Sequence, residues 1–309
     1  MSDNVIEVKS LVKKYGAFTA VNGISFSVGR GEVFAFLGPN GAGKTTTVEI
    51  IECLKTPTEG TVTVLGHDVR KEEMLVKKKI GVLPQSFNAF DWWTVYENIH
   101  YFGQLYPKYV DVDGLIETFG LKDKRDELFK NLSGGLKQRV GIAISLVNDP
   151  EIVFLDEPTT GLDPRVRRDV WEAIKELKRK GKTVFLTTHY MDEAYNLADR
   201  VAVIHKGKII AEGSPEDLIN QYGGGNTLII RECSAAAREQ LIREIPNSKA
   251  EGSDVLAALP QGDGMGSITK AISILNAGKD MCKELYVKKS TLEDVFLNLT
   301  GEKLIEGGQ

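Results

Sequence analysis

The sequence predicts an α/β fold: a mostly parallel sheet with helices, an antiparallel β subdomain, an inserted helical subdomain and a small C-terminal α+β domain. Three observations lead there. Short apolar runs at 33–37, 152–155, 183–186 and 201–204 read as strands covered on both faces. A helical pattern at 165–180 separates the middle pair, and strands alternating with helices give a largely parallel sheet. Residues 5–9 and 24–28 instead alternate apolar and polar, as half-buried antiparallel strands do.

In chain order, strand 33–37 meets a Gly-rich turn and then a helix at 44–54, with Val48, Ile51 and Leu54 on one side. Strands follow at 60–65 and 80–83. After Gln85 the character changes: 93–145 is mostly helical and rich in aromatics, which marks an inserted helical subdomain at about 86–150. The first domain is placed at 1–222. Tyr222-Gly223-Gly224-Gly225-Asn226 reads as a flexible linker to an accessory domain at 226–309. There the pattern gives strand 227–231, helix 235–245, strand 255–259, helix 268–276, strand 285–287 and an amphipathic helix 292–299 carrying Leu292, Val295, Phe296 and Leu299.

Composition narrows the function classes. The chain has 309 residues, room for one or two domains, and a net charge of −4 without a basic domain, so no nucleic-acid partner is expected. Cys53, Cys233 and Cys282 are odd in number and far apart, which indicates neither a disulfide framework nor a zinc site. The N-terminus has no basic patch leading into an apolar core, and no apolar run reaches the ~20 residues of a membrane helix. The expectation is a soluble, cytosolic chain whose membrane role, if any, comes through a partner.

Chemistry concentrates at Gly38-Pro39-Asn40-Gly41-Ala42-Gly43-Lys44-Thr45-Thr46. Glycines let the backbone wrap around phosphates with N–H groups inward, and the helix that follows adds a favourable dipole. Lys44 would reach the β- and γ-phosphates, and the Thr45 hydroxyl would ligate Mg²⁺. The metal also needs an acid at the end of a buried strand, and Ile152-Val153-Phe154-Leu155-Asp156-Glu157 supplies one. Asp156 is assigned to the metal through a water, and Glu157 to polarising the attacking water as general base.

Leu132-Ser133-Gly134-Gly135-Leu136-Lys137-Gln138-Arg139 resembles the signature motif of ATP-binding cassette (ABC) ATPases. With Gln85, Glu157-Pro158, Gly161-Leu162-Asp163-Pro164 and His189, residues 5 to 220 resemble the complete nucleotide-binding subunit of that family, built on a P-loop NTPase core. Ser133-Gly134-Gly135 before a helix is a second anion site in its own right. The resemblance implies a head-to-tail homodimer, each ATP lying between one chain's phosphate loop and the other's signature. It further implies that Tyr15 stacks on adenine, Gln85 touches Mg²⁺ and the attacking water, and His189 hydrogen-bonds the γ-phosphate. Asp163 would sit at the subunit interface and help position Glu157 across it. Leu136 departs from the commonest family form, which has glutamine there.

The same resemblance implies a separate transmembrane permease as partner and a peripheral place at the cytoplasmic membrane face. The aromatics after Gln85, from Phe87 to Tyr106, would form helical-subdomain core, a few of them lining the groove that receives the permease. The ending from Ser290 to Gly301 resembles that of ABC-2 type exporters of drugs, lipids or polysaccharide. The accessory domain either regulates dimer opening or adds dimer contacts. The rival reading is a soluble ABC ATPase acting on ribosomes or DNA; a single cassette without a sustained heptad run weighs against it.

Overall fold

A computed structural model describes residues 3–259, 264–277 and 282–302. The chain divides into two compact units, residues 1–215 and 216–303, and the division falls ahead of the glycines at 223–225.

The first unit opens with β1 (Asn4–Tyr15), β2 (Phe18–Gly29) and β3 (Val33–Leu37), then α1 (Lys44–Ile51), β4 (Glu59–Val64), β5 (His67–Asp68), α2 (Glu73–Lys77) and β6 (Ile80–Leu83). The inserted helices are α3 (Val95–Gln104), α4 (Val112–Thr118) and α5 (Gly134–Ile144). The sheet resumes with β7 (Ile152–Asp156), α6 (Pro164–Arg179), β8 (Thr183–Thr188), α7 (Met191–Leu197), β9 (Arg200–His205) and β10 (Lys208–Gly213).

Two sheets result. The antiparallel one runs β2-β1-β4-β5, and the larger one runs β10-β9-β3-β8-β7-β6, parallel except for β10 at its edge. Every residue of β3, β7 and β8 is buried, which explains their unbroken apolar runs. Phe34 and Phe36, two apart, share one face of β3. Phe26 of β2 stacks on Phe34 at 5.4 Å between ring centroids, and Phe185 lies 5.5 Å from Phe34 and 5.6 Å from Phe154. This aromatic layer joins the two sheets into one core. In register, Leu37 pairs with Thr188 and Asp156 with Thr187. The carboxyl ends of β3, β7 and β8 therefore stand side by side, where open α/β sheets place their ligands.

One local expectation changes. The helix expected over 44–54 stops at Ile51, because Cys53 takes a left-handed φ of 61°, and Leu54 is left 62% exposed. The insert is mostly helical, as expected, with loops between its helices. Thr94 caps α3 through a reciprocal box with Glu97, and the buried Asn98 amide ties back to Phe90, Trp93 and Thr94, holding the aromatic loop in place.

The second unit takes in α8 (Pro215–Tyr222) from Glu216 onward, followed by β11 (Asn226–Arg231), α9 (Ala235–Glu244), β12 (Ser248–Glu251), β13 (Asp254–Leu259), α10 (Gly264–Ala277), β14 (Glu284–Lys288) and α11 (Leu292–Thr300). Its antiparallel sheet, β12-β13-β11-β14, packs Leu228, Ile230, Val255 and Ala257 against Leu241, Ile245, Ala271 and Ile274 of the unit's own core. Cys233 and Cys282 are bonded, which corrects the expectation of no disulfide. They are 49 apart in sequence, but Arg231 pairs with Glu284, so the positions just beyond that pair come together.

Candidate functional site

The loop after β3 is shaped by what its glycines must avoid. A Cβ on Gly38 would lie 2.2 Å from the Ile204 carbonyl oxygen. Gly43 has φ of 105°, and a Cβ there would meet the Ala20 carbonyl oxygen at 2.5 Å. Only glycine fits either place. The loop then turns straight into α1, aiming its first N–H groups at the loop interior.

Lys44 begins α1 with its side chain 4% exposed. Its Nζ donates to the carbonyls of Gly38 (2.8 Å) and Pro39 (3.2 Å), and pairs with Glu157 Oε1 at 3.1 Å. Glu157 is as buried as Lys44 and sits on left-handed backbone, φ 48°, its N–H donating to Thr187. Gln85 (3.1 Å) and Thr160 (3.0 Å) donate to its Oε2, and His189 Nδ1 lies 3.1 Å from the same oxygen. Burial pushes the Glu157 carboxyl up, but His189 and Lys44 outweigh it and bring it down to about 2. Asp156, the last residue of β7, accepts from the Thr187 hydroxyl. Burial raises its carboxyl above the ordinary value, against hydrogen bonds from Thr187 and Thr45.

Lys44, Gln85 and Glu157 line one pocket of about 360 Å³, together with Tyr15, Phe18, Ala20, Asn40, Gly41, Gly43, Thr45 and Thr46. Tyr15, at the end of β1, is 42% exposed and has the Lys13 and Lys55 ammonium groups 5.2 and 5.6 Å from its ring centroid. A buried cation, a glycine loop at a helix N-terminus and an aromatic rim have the chemistry to receive a nucleotide's phosphates and base.

A family model described as ABC transporter matches residues 21–160. The daunorubicin/doxorubicin resistance ATP-binding protein DrrA of Streptomyces peucetius is 40% identical over 305 residues, 96% of this chain and 92% of that protein. The chain belongs to the ABC transporter family. It is an ATP-binding cassette that hydrolyses ATP. Nod factor export ATP-binding protein I of Burkholderia orbicola is 37% identical over 310 residues, 98% of this chain and 99% of the relative, so the likeness runs through the second unit. Among solved structures, the dimeric post-hydrolysis state of the cassette MJ0796 bound to ADP and Pi matches with a TM-score of 0.60 and 28% identity, covering 68% of this chain and 98% of that one. Cassettes of the family dimerise and work with transmembrane partners, and among the described residues no helix here is long and apolar enough to cross a membrane.

The cassette brings most of the residues singled out in its sequence to one place. Tyr15, the loop from Gly38 to Thr46, Gln85, Asp156, Glu157 and His189 gather around the pocket. Ser133, Gly134, Gly135 and Asp163 do not line it. Ser133 caps α5, its hydroxyl accepting from Leu136 N–H at 3.4 Å, and both it and Gly134 are exposed. Gly135 has a second, structural reason to be glycine: a Cβ would meet Val166 of α6 at 2.2 Å. Asp163 is exposed at the start of α6.

Sequence reasoning missed Thr160, Thr187 and Phe18. Thr160 lies three residues beyond Glu157, and its spacing gave a usable hint. Thr187 orients both acids only because β7 and β8 are neighbours in the sheet. Glu193 was also missed; it is fully buried and takes hydrogen bonds from Thr159 (2.8 Å) and Trp171 (3.1 Å), tying the segment after Glu157 to α7.

Proposed function

We propose that this cassette powers an ABC exporter, working as a head-to-tail homodimer on a separate transmembrane permease at the cytoplasmic membrane face. One observation supports the catalytic part most directly: Lys44 and Glu157, both buried, line one pocket with Gln85, and His189 reaches the same carboxylate from beside it. A carboxylate held ionised is a proton acceptor, and Gln85 and Thr160 fix which lone pairs it presents. Glu157 is the general base, Gln85 and His189 position it, and His189 also serves the γ-phosphate. Lys44 and the N–H groups from Asn40 to Thr46 hold the phosphates, and Tyr15 stacks on adenine, with Phe18 beside it.

Thr45 and Asp156 supply a hydroxyl and a carboxylate next to each other, a donor set that fits Mg²⁺, which keeps most of its waters and takes few protein ligands. Gln85 adds a third, neutral oxygen at the pocket. When bound, Mg²⁺ neutralises charge on the β- and γ-phosphate oxygens.

The Ser133–Gly135 turn, with Ser133 and Gly134 exposed, lies outside the pocket of its own chain. That placement supports its use by a second chain, where hydroxyl and helix N-terminus would close the partner's ATP site with Asp163 nearby. Export follows from the relatives, one named for daunorubicin and doxorubicin resistance and one for Nod factor export. The cargo class is a drug, lipid or polysaccharide chosen by the permease. Lys44→Ala should lose ATP binding and, with the permease in vesicles, ATP-driven export. Undiminished ATP binding by that variant would overturn the phosphate-site assignment, and turnover unaffected by the permease would overturn the transport reading.

A further inference from the structure

His189 reaches Glu157 through one nitrogen, Nδ1 at 3.1 Å from Oε2, and a single contact of that kind leaves a ring free to turn about it. The ring plane is fixed by residues that do not line the nucleotide pocket. The Tyr190 and His189 rings are 4.1 Å apart between centroids, and both residues are only 7% exposed, so neither ring can swing out to solvent. Tyr190 N–H donates to the Thr188 hydroxyl at 2.9 Å, which pins the turn between β8 and α7. Over the Tyr190 ring, 3.9 Å from its centroid, lies the guanidinium of Arg167 from near the start of α6. A planar cation on a ring face is a stack that arginine makes and lysine matches poorly. Arg167 is held in turn by the segment that leaves Glu157. Its Nε donates to the Leu162 carbonyl at 3.0 Å, and its backbone N–H to the Asp163 carbonyl at 2.9 Å. Leu162 N–H donates to the Thr159 carbonyl and Thr160 N–H to the Glu157 carbonyl, so this segment is wound into successive tight turns.

We propose that Arg167 and Tyr190 are positioning residues for hydrolysis: the stack they form sets the plane of the His189 ring, and the loop ending at Asp163 sets the stack. The inference rests on the reading that His189 serves the γ-phosphate and that Asp163 meets a second chain, and it adds how the one depends on the other. With the loop seated against a second chain, the Leu162 carbonyl holds Arg167 over Tyr190, and His189 turns its Nε2 to the phosphate while Nδ1 stays on Glu157. With the loop displaced, the guanidinium loses its carbonyl and the histidine ring its support, so ATP on a lone chain waits without turnover. Neither Arg167 nor Tyr190 lines the nucleotide pocket, so their loss falls on kcat rather than on affinity. A second route starts from the same loop. Leu162 also packs on the signature turn, where a Cβ on Gly134 would lie 2.9 Å from its Cδ2. A substitution at Arg167 therefore also reaches the site of the second chain, whereas one at Tyr190 acts on the His189 of its own chain.

The test uses the full-length cassette and steady-state ATP hydrolysis. Tyr190→Leu should lower kcat at least about tenfold, as a misplaced reacting group does, with KM for ATP within about twofold. Tyr190→Phe keeps the ring and should bring kcat back to within about twofold of the wild type. Arg167→Met should lose about as much as Tyr190→Leu, and the double variant little more than either alone. Arg167 is only half-buried, so its variant carries the kcat and KM comparison if the leucine variant fails to fold. The place of the loss is read in mixtures of two chains inactive by themselves, Lys44→Ala with its loop spoiled and Ser133→Arg with its signature spoiled. Tyr190→Leu added to the Ser133→Arg chain, whose His189 serves the working site, should lower turnover of the mixture about tenfold. Added to the Lys44→Ala chain, it should change nothing. Equal losses in both placements, additive losses from Arg167 and Tyr190, or a KM that rises as far as kcat falls would overturn the inference. A silent mixture of the two parent variants would overturn the shared site instead, while kcat and KM of the unmixed variants still decide whether the stack positions His189. Wild-type turnover by His189→Ala would overturn the role given to that histidine, and the inference with it.

Discussion

Glu157→Gln separates the acid's two duties, holding Lys44 and accepting a proton. Lys44 sits 3.1 Å from Oε1 and His189 3.1 Å from Oε2, and together they bring the carboxyl from its ordinary 4.5 to about 2. A fall of that size corresponds to ~3 kcal/mol of favourable interaction with the ionised form. His189 takes part of it, so the Lys44 contact accounts for ~1–2 kcal/mol. A phosphate entering the loop competes with Glu157 for that ammonium. The glutamine competes only as a neutral acceptor, so the variant should bind ATP about tenfold more tightly. Turnover should fall by roughly two to four orders of magnitude, the usual loss with a general base. The sign of the pH effect is fixed by the depressed value. Stability from ionised Glu157 is fully present above pH 4.5 and is lost as pH falls toward about 2, so the wild type should lose stability across that window more steeply than the variant. Titration calorimetry at neutral pH and melting curves between pH 2 and 7 measure both effects. Unchanged ATP affinity together with an unchanged acid slope would refute the argument.

Three further outcomes follow from single contacts. Tyr15→Ala should weaken ATP binding by ~1–3 kcal/mol, the usual worth of base stacking, with little change in melting, since the ring is 42% exposed; equal affinity for ATP would remove the stacking role. Gly135→Ala should destabilise the cassette by ~1–3 kcal/mol through the 2.2 Å approach to Val166, and Val166→Ala should relieve it in the double variant, as chemical denaturation would show. Thiol counting in denaturant should find one reactive cysteine, Cys53, without reductant and all three with it; three without reductant would contradict the Cys233–Cys282 bond.

What could be read in the sequence was local. A strand, a glycine loop and Lys44 lie within a dozen positions, and the apolar run into Asp156 and Glu157 marks a buried strand end without reference to anything distant. Their convergence depends on the order of strands in the sheet, which puts β7 beside β8 and so brings Thr187 and His189 to the acids. No periodicity carries that. Three strands escaped notice, the two-residue β5 and, for opposite reasons, β10 and β12. The hairpin into β10 is marked by Lys206-Gly207, both at positive φ, a turn signal that was there to be used. β12 is Ser-Lys-Ala-Glu on a sheet edge, where mostly exposed polar residues leave no apolar pattern to find. The disulfide was hidden because its partners meet through the β11–β14 register across 49 residues.

The central claim is that the pocket around Lys44 is half a site, completed by the Ser133–Gly135 turn of a second chain. Two inactive variants test it directly. Lys44→Ala spoils a chain's loop and leaves its signature, and Ser133→Arg does the reverse. Each alone should hydrolyse no ATP. Mixed, they should form heterodimers with one intact composite site, so turnover should reappear in the mixture and peak near equal amounts. A mixture that stays silent while both variants remain folded, or Ser133→Arg turning over ATP at the wild-type rate by itself, would contradict the shared site.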